Sequence, residues 1–355
     1  MSIVTNGRLL YVAHPTGYQI PGVHTKYVVE EQIDLDKVDL DGGILVKTLT
    51  LSSDPYVRLR MRDPKVPSTF PHLTLGHPVE NYGVGVVVRS EKAEFKPGDH
   101  VYGFFGFENY TVYPGPPERH HIMQFIQKLD RDPDIPTSVY VGTLGMPGQT
   151  AYAGLNAFVA EKAKTSKTLF VSAAAGPVGT YVIEYARHTN PHLKIIASAG
   201  SPEKLEILKQ SGADVVFNYK TTDTAKVLAE HGPIDIYWDH DGGPVLDETL
   251  ANMQHYGVIM RVGTNSGYNT ERTGLKNLHA MVEKSLSMFG FIVGLGDVQQ
   301  KALVNFRPDT TKLVLDGVIK IREKKYEELK AAGQALADVH RGQSLGKPVV
   351  IVAED

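Results

Sequence analysis

Residues 169 to 188 read LFVSAAAGPVGTYVIEYARH. Leu169 to Val171 is a short apolar run, and Val178, Val182 and Ala186 recur at helical spacing, so the segment reads as strand, tight turn and helix. Gly176 and Gly179 let a backbone approach a pyrophosphate, and the helix start offers free N–H groups with partial positive charge. The first position of the usual glycine fingerprint holds Ala173, which makes this the relaxed form; an ordinary strand-to-helix turn packed with small residues would read the same. A dinucleotide site also needs a residue at the end of the following strand, about 20 positions on, that reads the adenosine ribose. Counting on from Gly179 lands on Ala199, Gly200 and Ser201 in SAGSPEKL (Ser198 to Leu205), and no carboxylate stands at those three positions. Ser201 does, with Lys204 one turn into the following helix, and Tyr219 in FNYK falls near the same edge. A hydroxyl and a cation suit the 2′-phosphate of NADP(H), which a carboxylate would repel. A solvated helix lysine is the competing reading of Lys204, but strand, glycine turn, helix, second strand and phosphate-friendly end together predict NADP(H) as cofactor.

The elements that must hold these residues follow from periodicity. Up to about residue 135 the chain is dense in Gly, Pro and short β-type runs: Ile44 to Leu51, Gly83 to Arg89, His100 to Phe105 and Tyr110 to Tyr113. That pattern predicts a β-rich domain, with the proline-rich loop Tyr113 to His121 outside its core. From about Val141 apolar strands alternate with amphipathic helices, as in a parallel sheet covered on both faces. Lys194 to Ala199, Val215 to Asn218, Ile234 to Asp239, Val258 to Gly263 and Met288 to Gly294 are the further strands. Pro202 to Gln210 is a helix with proline at its start and Gly212 as its stop. KYEELKAAGQALADVHRG reads as helical, and Lys347 to Val352 as a last strand returning to the N-terminal domain. The expected class is α/β, a doubly wound parallel sheet plus a β-barrel domain, divided at 1–137, 138–315 and 316–355.

Composition excludes several functions. The chain has 355 residues with 37 basic and 40 acidic side chains, so nothing electrostatic recommends nucleic acid or an anionic membrane as partner. No run approaches the length of a membrane span and no signal-peptide pattern opens the chain, which predicts a cytoplasmic protein. There is no cysteine, hence no disulfide, no thiolate nucleophile and no cysteine-bound zinc.

Six motifs carry a resemblance: SSDPYVRLRM (Ser52 to Met61), LGMPGQTAYAGL (Leu144 to Leu155), AAAGPVG (Ala173 to Gly179), SAGSPEK (Ser198 to Lys204), FNYK (Phe217 to Lys220) and SGYN (Ser266 to Asn269). In this order they resemble the zinc-free medium-chain dehydrogenase/reductases, in particular the prostaglandin and leukotriene reductase group, which includes plant-type NADPH-dependent alkenal double-bond reductases. The resemblance implies a GroES-like β domain and an inserted Rossmann domain. It places Pro55, Met146 and Thr150 on the nicotinamide side and Pro177 and Val178 under the pyrophosphate. Gly200, Ser201, Lys204 and Tyr219 fall at the 2′-phosphate end. Phe291 and Val293 come near the carboxamide, Gly346 near the phosphates, and Val262 is a further cofactor-binding position. Tyr56 and Tyr268 match tyrosines that face the substrate. Three positions depart from the group: His240 stands in place of the usual asparagine after the fourth Rossmann strand, Ser344 replaces another asparagine, and Leu59 replaces a glycine.

The chemistry implied is addition of hydride to the β-carbon of an enal or enone, with negative charge gathering on the carbonyl oxygen. Of the positions where relatives bind zinc, GHPVE keeps only His77 and Glu80, and His77 reads as a structural loop histidine. A phenol is the natural substitute for the metal, and Tyr268 can donate a hydrogen bond there without ionising at neutral pH. Asp54, before proline, reads as a turn-stabilising carboxylate. Carbonyl reduction, quinone reduction and a non-catalytic NADPH-binding protein remain as alternatives. The apolar strand MFGFIV is a candidate pairing edge for a homodimer.

Overall fold

The computed structural model describes residues 2–114, 125–271 and 273–355; the expected loop histidines His120 and His121 lie outside them. Two compact units divide the chain, one formed by Met1–Gly142 with Glu323–Asp355 and the other by Thr143–Arg322.

The second unit is the doubly wound domain. Among the described residues its sheet has six strands in the order Val215–Asn218, Lys194–Ala199, Thr168–Val171, Ile234–Asp239, Met253–Arg261, Ser287–Gly290, all parallel. Period-two alternation sends side chains to two separate cores. Leu169, Val171, Ile195, Ala197 and Trp238 face one, and Phe170, Ile196 and Tyr237 face the other. The chain runs outward from Thr168–Val171 and then crosses back to Ile234–Asp239 on its other side, so the strand order reverses between these two. Their carboxyl ends form the crevice where open α/β sheets bind ligands.

The first unit is built on a mixed sheet, the GroES-like β domain. Its strands run Glu323–Glu327, Lys347–Ile351, Ile44–Ser52, Glu80–Ser90, His100–Gly106 and Ile126–Lys128, with Tyr110–Tyr113 also paired to Ile44–Ser52. Lys347–Ile351 lies antiparallel to Ile44–Ser52, pairing Val349 with Ser52. The C-terminal strand thus returns to the N-terminal sheet, and it delivers Lys347 beside the Ser52–Tyr56 segment.

Two expected elements differ. The stretch taken as one helix from Lys325 begins instead with the strand Glu323–Glu327, parallel to Lys347–Ile351, and the α-helix proper is Ala332–His340. Good helix formers are overridden there by a sheet edge that offers unpaired backbone groups. The strand expected over Met288 to Gly294 is confined to Ser287–Gly290, because its neighbour among the described residues, Met253–Arg261, ends at Arg261, opposite Gly290.

Candidate active site

In the doubly wound unit the glycine turn is a cradle with one open side. The strand Thr168–Val171 ends, Ala173 adopts the left-handed conformation (φ 45°), and the helix Pro177–Thr189 starts at Gly176 with no side-chain cap. A Cβ on Gly179 would fall 2.4 Å from the Ala174 carbonyl oxygen, whereas one on Gly176 would meet no atom within 4 Å. Gly179 is therefore needed for close packing of turn on helix, and Gly176 leaves room where a phosphate would approach an uncapped helix start. Pro177 is the first helical residue, and half-buried Val178 packs on the core beneath.

The next strand ends at Ala199. Ser201 caps the helix Pro202–Gln210, its hydroxyl oxygen accepting from the Lys204 backbone N–H at 3.4 Å. Together with the Glu203 backbone N–H, the same hydroxyl also hydrogen-bonds the Glu203 carboxylate, which helps hold that carboxyl below its usual range. A Cβ on Gly200 would lie 2.9 Å from Lys220 Cε and 3.0 Å from the Tyr219 hydroxyl, so both side chains close over this glycine. The Lys204 ammonium is held below the usual lysine range by burial and by the charge of Lys220. Two cations drawn to one spot fit a polyanion such as a 2′-phosphate. Lys220 is a residue that sequence reasoning missed; its signal is its place directly after Tyr219.

At the switch point the Ile234–Asp239 strand runs into His240 and Asp241. Asp239 is buried and accepts from the Tyr237 hydroxyl (2.9 Å) and the Gly242 N–H (2.7 Å). The His240 ring is fully engaged within the protein: Trp238 Nε1 donates to Nε2 at 3.2 Å, which leaves Nδ1–H to donate to the Ser172 carbonyl at 2.6 Å. Burial pushes this imidazole down to about 4, so it is neutral. Expected as a cofactor contact in place of asparagine, His240 spends both ring nitrogens as a strut between two strand ends. Its carbonyl accepts from the Asn265 N–H at 3.0 Å, and the Asp241 carbonyl accepts from the Ser266 hydroxyl at 2.7 Å. These bonds pin the short 3₁₀ turn Asn265–Gly267 that ends in half-buried Tyr268. Val262, half-buried on the core, donates its N–H to the Asp239 carbonyl.

Elsewhere in this unit Met146 opens the helix Met146–Gly154, and the Thr150 hydroxyl donates back to the Met146 carbonyl at 2.9 Å. Phe291 stacks obliquely on Phe158 with centroids 5.7 Å apart, and Val293 is half-buried beyond it.

In the β unit the site residues stand on a buried polar cluster. Pro55 and Tyr56 lead into the short helix Val57–Arg60. The Tyr56 hydroxyl donates to Asn81 Oδ1 at 2.5 Å; Asn81 Nδ2 donates to Asp54 Oδ2 (3.0 Å) and the Ser52 carbonyl (2.9 Å). The Lys347 ammonium donates to Asp54 Oδ1 (2.6 Å), Ser52 Oγ (2.6 Å) and the Ser53 carbonyl (2.9 Å). Ser52 Oγ in turn donates to Asp54 Oδ2. Asp54 is thus more than the turn carboxylate expected, being the counter-charge of a buried lysine. Gly346 precedes that lysine in the left-handed region (φ 74°), and Ser344 is buried nearby in sequence. Burial raises the Tyr56 phenol well above its ordinary range.

Among the described residues no group of three or more His, Asp or Glu side chains is placed to hold a metal ion.

Comparison with known proteins agrees with this architecture. Residues 177–306 match the family model "Zinc-binding dehydrogenase", and residues 21–120 match "N-terminal domain of oxidoreductase". The chain is 35% identical to 2-alkenal reductase (NADP(+)-dependent) of Nicotiana tabacum, over 99% of each chain. It is 32% identical to prostaglandin reductase 1 of Sus scrofa, over 91% of this chain and 95% of that one. The crystal structure of CurA from Vibrio vulnificus in complex with NADPH superposes with a TM-score of 0.84 at 27% identity, covering 98% of this chain and 100% of that one. The fold is that of an oxidoreductase with a dinucleotide domain. More closely, the chain belongs to the medium-chain dehydrogenase/reductase family, in the zinc-free group that contains the 2-alkenal and prostaglandin reductases.

Proposed function

We propose that this protein reduces the carbon–carbon double bond of α,β-unsaturated aldehydes and ketones at the expense of NADPH. The observation that carries this reading is full-length kinship with an NADP-dependent 2-alkenal reductase, joined to a cation pair at the strand end where an NAD enzyme needs a carboxylate.

In this reading Gly176, Pro177 and Val178 hold the pyrophosphate against the helix start. Ser201, Lys204, Tyr219 and Lys220 hold the 2′-phosphate, and Gly200 lets the nucleotide edge approach. Pro55, Met146, Thr150, Val262, Phe291 and Val293 surround the nicotinamide, with Ser344 and Gly346 toward the phosphates. The bound cofactor supplies hydride to the β-carbon. Tyr268, fixed by the His240 and Asp241 carbonyls, donates a hydrogen bond to the carbonyl oxygen where charge gathers, and Tyr56 borders the substrate. A phenol already aimed where an enolate develops needs no reorganisation at the moment of reaction, and so stabilises it more than water would.

The test is consumption of NADPH and NADH, measured separately against enals, enones, quinones and saturated ketones, with products identified. Saturated carbonyl products formed with NADPH support the reading; reduction of saturated ketones alone, or equal use of NADH, contradicts it. Ser287–Gly290 lies at the sheet edge, and we further propose that it pairs in a homodimer; a monomer mass by light scattering contradicts that. Among the described residues no helix is long and apolar enough to cross a membrane, and the proposed cytoplasmic location is tested by cell fractionation.

A further inference from the structure

We propose that the buried Lys347–Asp54 pair acts through Asn81 to hold the Tyr56 hydroxyl proton inward, so that Tyr56 offers a substrate only the lone pairs of its oxygen. It would then favour unsaturated carbonyl compounds that carry a hydrogen-bond donor of their own. The substrate half of this inference rests on the reading of Tyr56 as a substrate-facing residue.

The argument is an accounting of protons. An ammonium has three donors, and Lys347 places them on Asp54 Oδ1, Ser52 Oγ and the Ser53 carbonyl. Ser52 Oγ, having accepted from Lys347, sends its own proton to Asp54 Oδ2. Asp54, as a carboxylate, is acceptor only, and its second oxygen also receives Asn81 Nδ2. The other Nδ2 proton goes to the Ser52 carbonyl. The orientation of the Asn81 amide is therefore not a free choice: turning it over would point its oxygen at a carboxylate and a carbonyl in a site where Asn81 is wholly buried, setting acceptor against acceptor at both contacts. Its oxygen must face Tyr56, and the only proton available for that 2.5 Å contact is the phenolic one. Burial keeps the phenol protonated. A tyrosine committed in this way cannot polarise a carbonyl oxygen; it can accept from a hydroxyl. Tyr268, on a separate turn, is left as the donor. Asp54, Asn81 and Lys347 are positioning residues for Tyr56.

The experiment has two arms on the full-length protein. In protein labelled with ¹³C at the tyrosine ζ carbon, the hydroxyl-proton resonance missing from Tyr56→Phe identifies Tyr56. Its exchange with water should be slow in the native protein and at least about tenfold faster in Asn81→Leu and in Lys347→Met. If Lys347→Met fails to fold, Asn81→Leu decides. Exchange as fast as that of an exposed tyrosine in the native protein, or unchanged in Asn81→Leu, overturns the inference. In the second arm kcat/KM is measured for 2-hexenal and 4-hydroxy-2-hexenal. Tyr56→Phe should reduce the value for the hydroxylated enal about tenfold more than for the plain one, and Asn81→Leu, which frees the proton, should shift preference the same way. An equal fall on both substrates, carried by kcat, would mean that Tyr56 donates to the carbonyl and would refute the proposal. Failure of the native protein to consume either enal would refute the reductase reading and the substrate preference with it, while the exchange arm independently decides the orientation of Tyr56.

Discussion

Gly176 and Gly179 stand in one turn with opposite surroundings: open space beyond the first, and the Ala174 carbonyl oxygen 2.4 Å from where the Cβ of the second would be. Their substitutions should therefore separate folding from binding. Gly179→Ala forces backbone apart and should destabilise the protein by about 1–3 kcal/mol. Gly176→Ala, at an ordinary φ of −82°, should melt like the native protein but place a methyl where the pyrophosphate approaches. Thermal melts with and without NADPH check this: Gly176→Ala keeps its melting temperature and loses most of the cofactor-induced rise, whereas Gly179→Ala melts early in both conditions.

Lys204 and Lys220 converge on the strand end beside Gly200. A charge-assisted contact to a phosphate is worth about 1.5–3 kcal/mol, so Lys204→Ala should lower kcat/KM for NADPH by about ten- to a hundredfold and leave that for NADH nearly unchanged. Lys220→Ala should act in the same direction. Steady-state kinetics with each cofactor at fixed salt is the check, since exposed charges such as Lys220 are partly screened.

His240 makes stability depend on pH. Its imidazole sits at about 4 in the folded protein through burial, against about 6.5 for an unfolded histidine. The unfolded chain thus binds the proton more readily. The stability this group contributes is present above pH 6.5 and is lost as pH falls toward 4. About 2 kcal/mol should disappear between pH 7 and pH 5 on its account. Buried His340, pushed down to about 3, adds a loss of the same sign. His240→Asn, which restores the group's usual residue, should flatten the slope by that share while His340 keeps the remainder. Urea denaturation at pH 7 and pH 5 for both proteins measures it; an unchanged difference between the two pH values would contradict the neutral strut.

Tyr268→Phe removes the proposed hydrogen bond to the carbonyl oxygen while keeping the ring. Loss of one such donor typically costs about 10²- to 10³-fold in kcat. The expected outcome is a fall toward that range, with NADPH affinity within about threefold of native as judged by fluorescence titration. Parallel loss of cofactor affinity would instead make Tyr268 a structural part of its turn.

Much of this was legible in the residues. The Rossmann strands, the glycine turn and the helix Pro202–Gln210 announce themselves through local signals: apolar period, a proline at the helix start and two glycines. The strand Glu323–Glu327 was not legible, because its Lys and Glu residues favour a helix and only pairing with Lys347–Ile351 overrides them. Nor was the cluster under Tyr56. Lys347 and Asp54 are 293 positions apart in the chain, and a lysine and an aspartate are read by default as surface residues. The engagement of His240 was hidden for the same reason, since Trp238 lies on its own strand but Ser172 is 68 positions away.

The most direct test of the central claim follows the hydride itself. NADPH deuterated at C4, on the face the enzyme transfers, is supplied with an enal, and the product is read by mass spectrometry and NMR. Transfer of deuterium to the β-carbon of a saturated aldehyde is the predicted result. Deuterium on the carbonyl carbon of an allylic alcohol would contradict it and make the protein a carbonyl reductase.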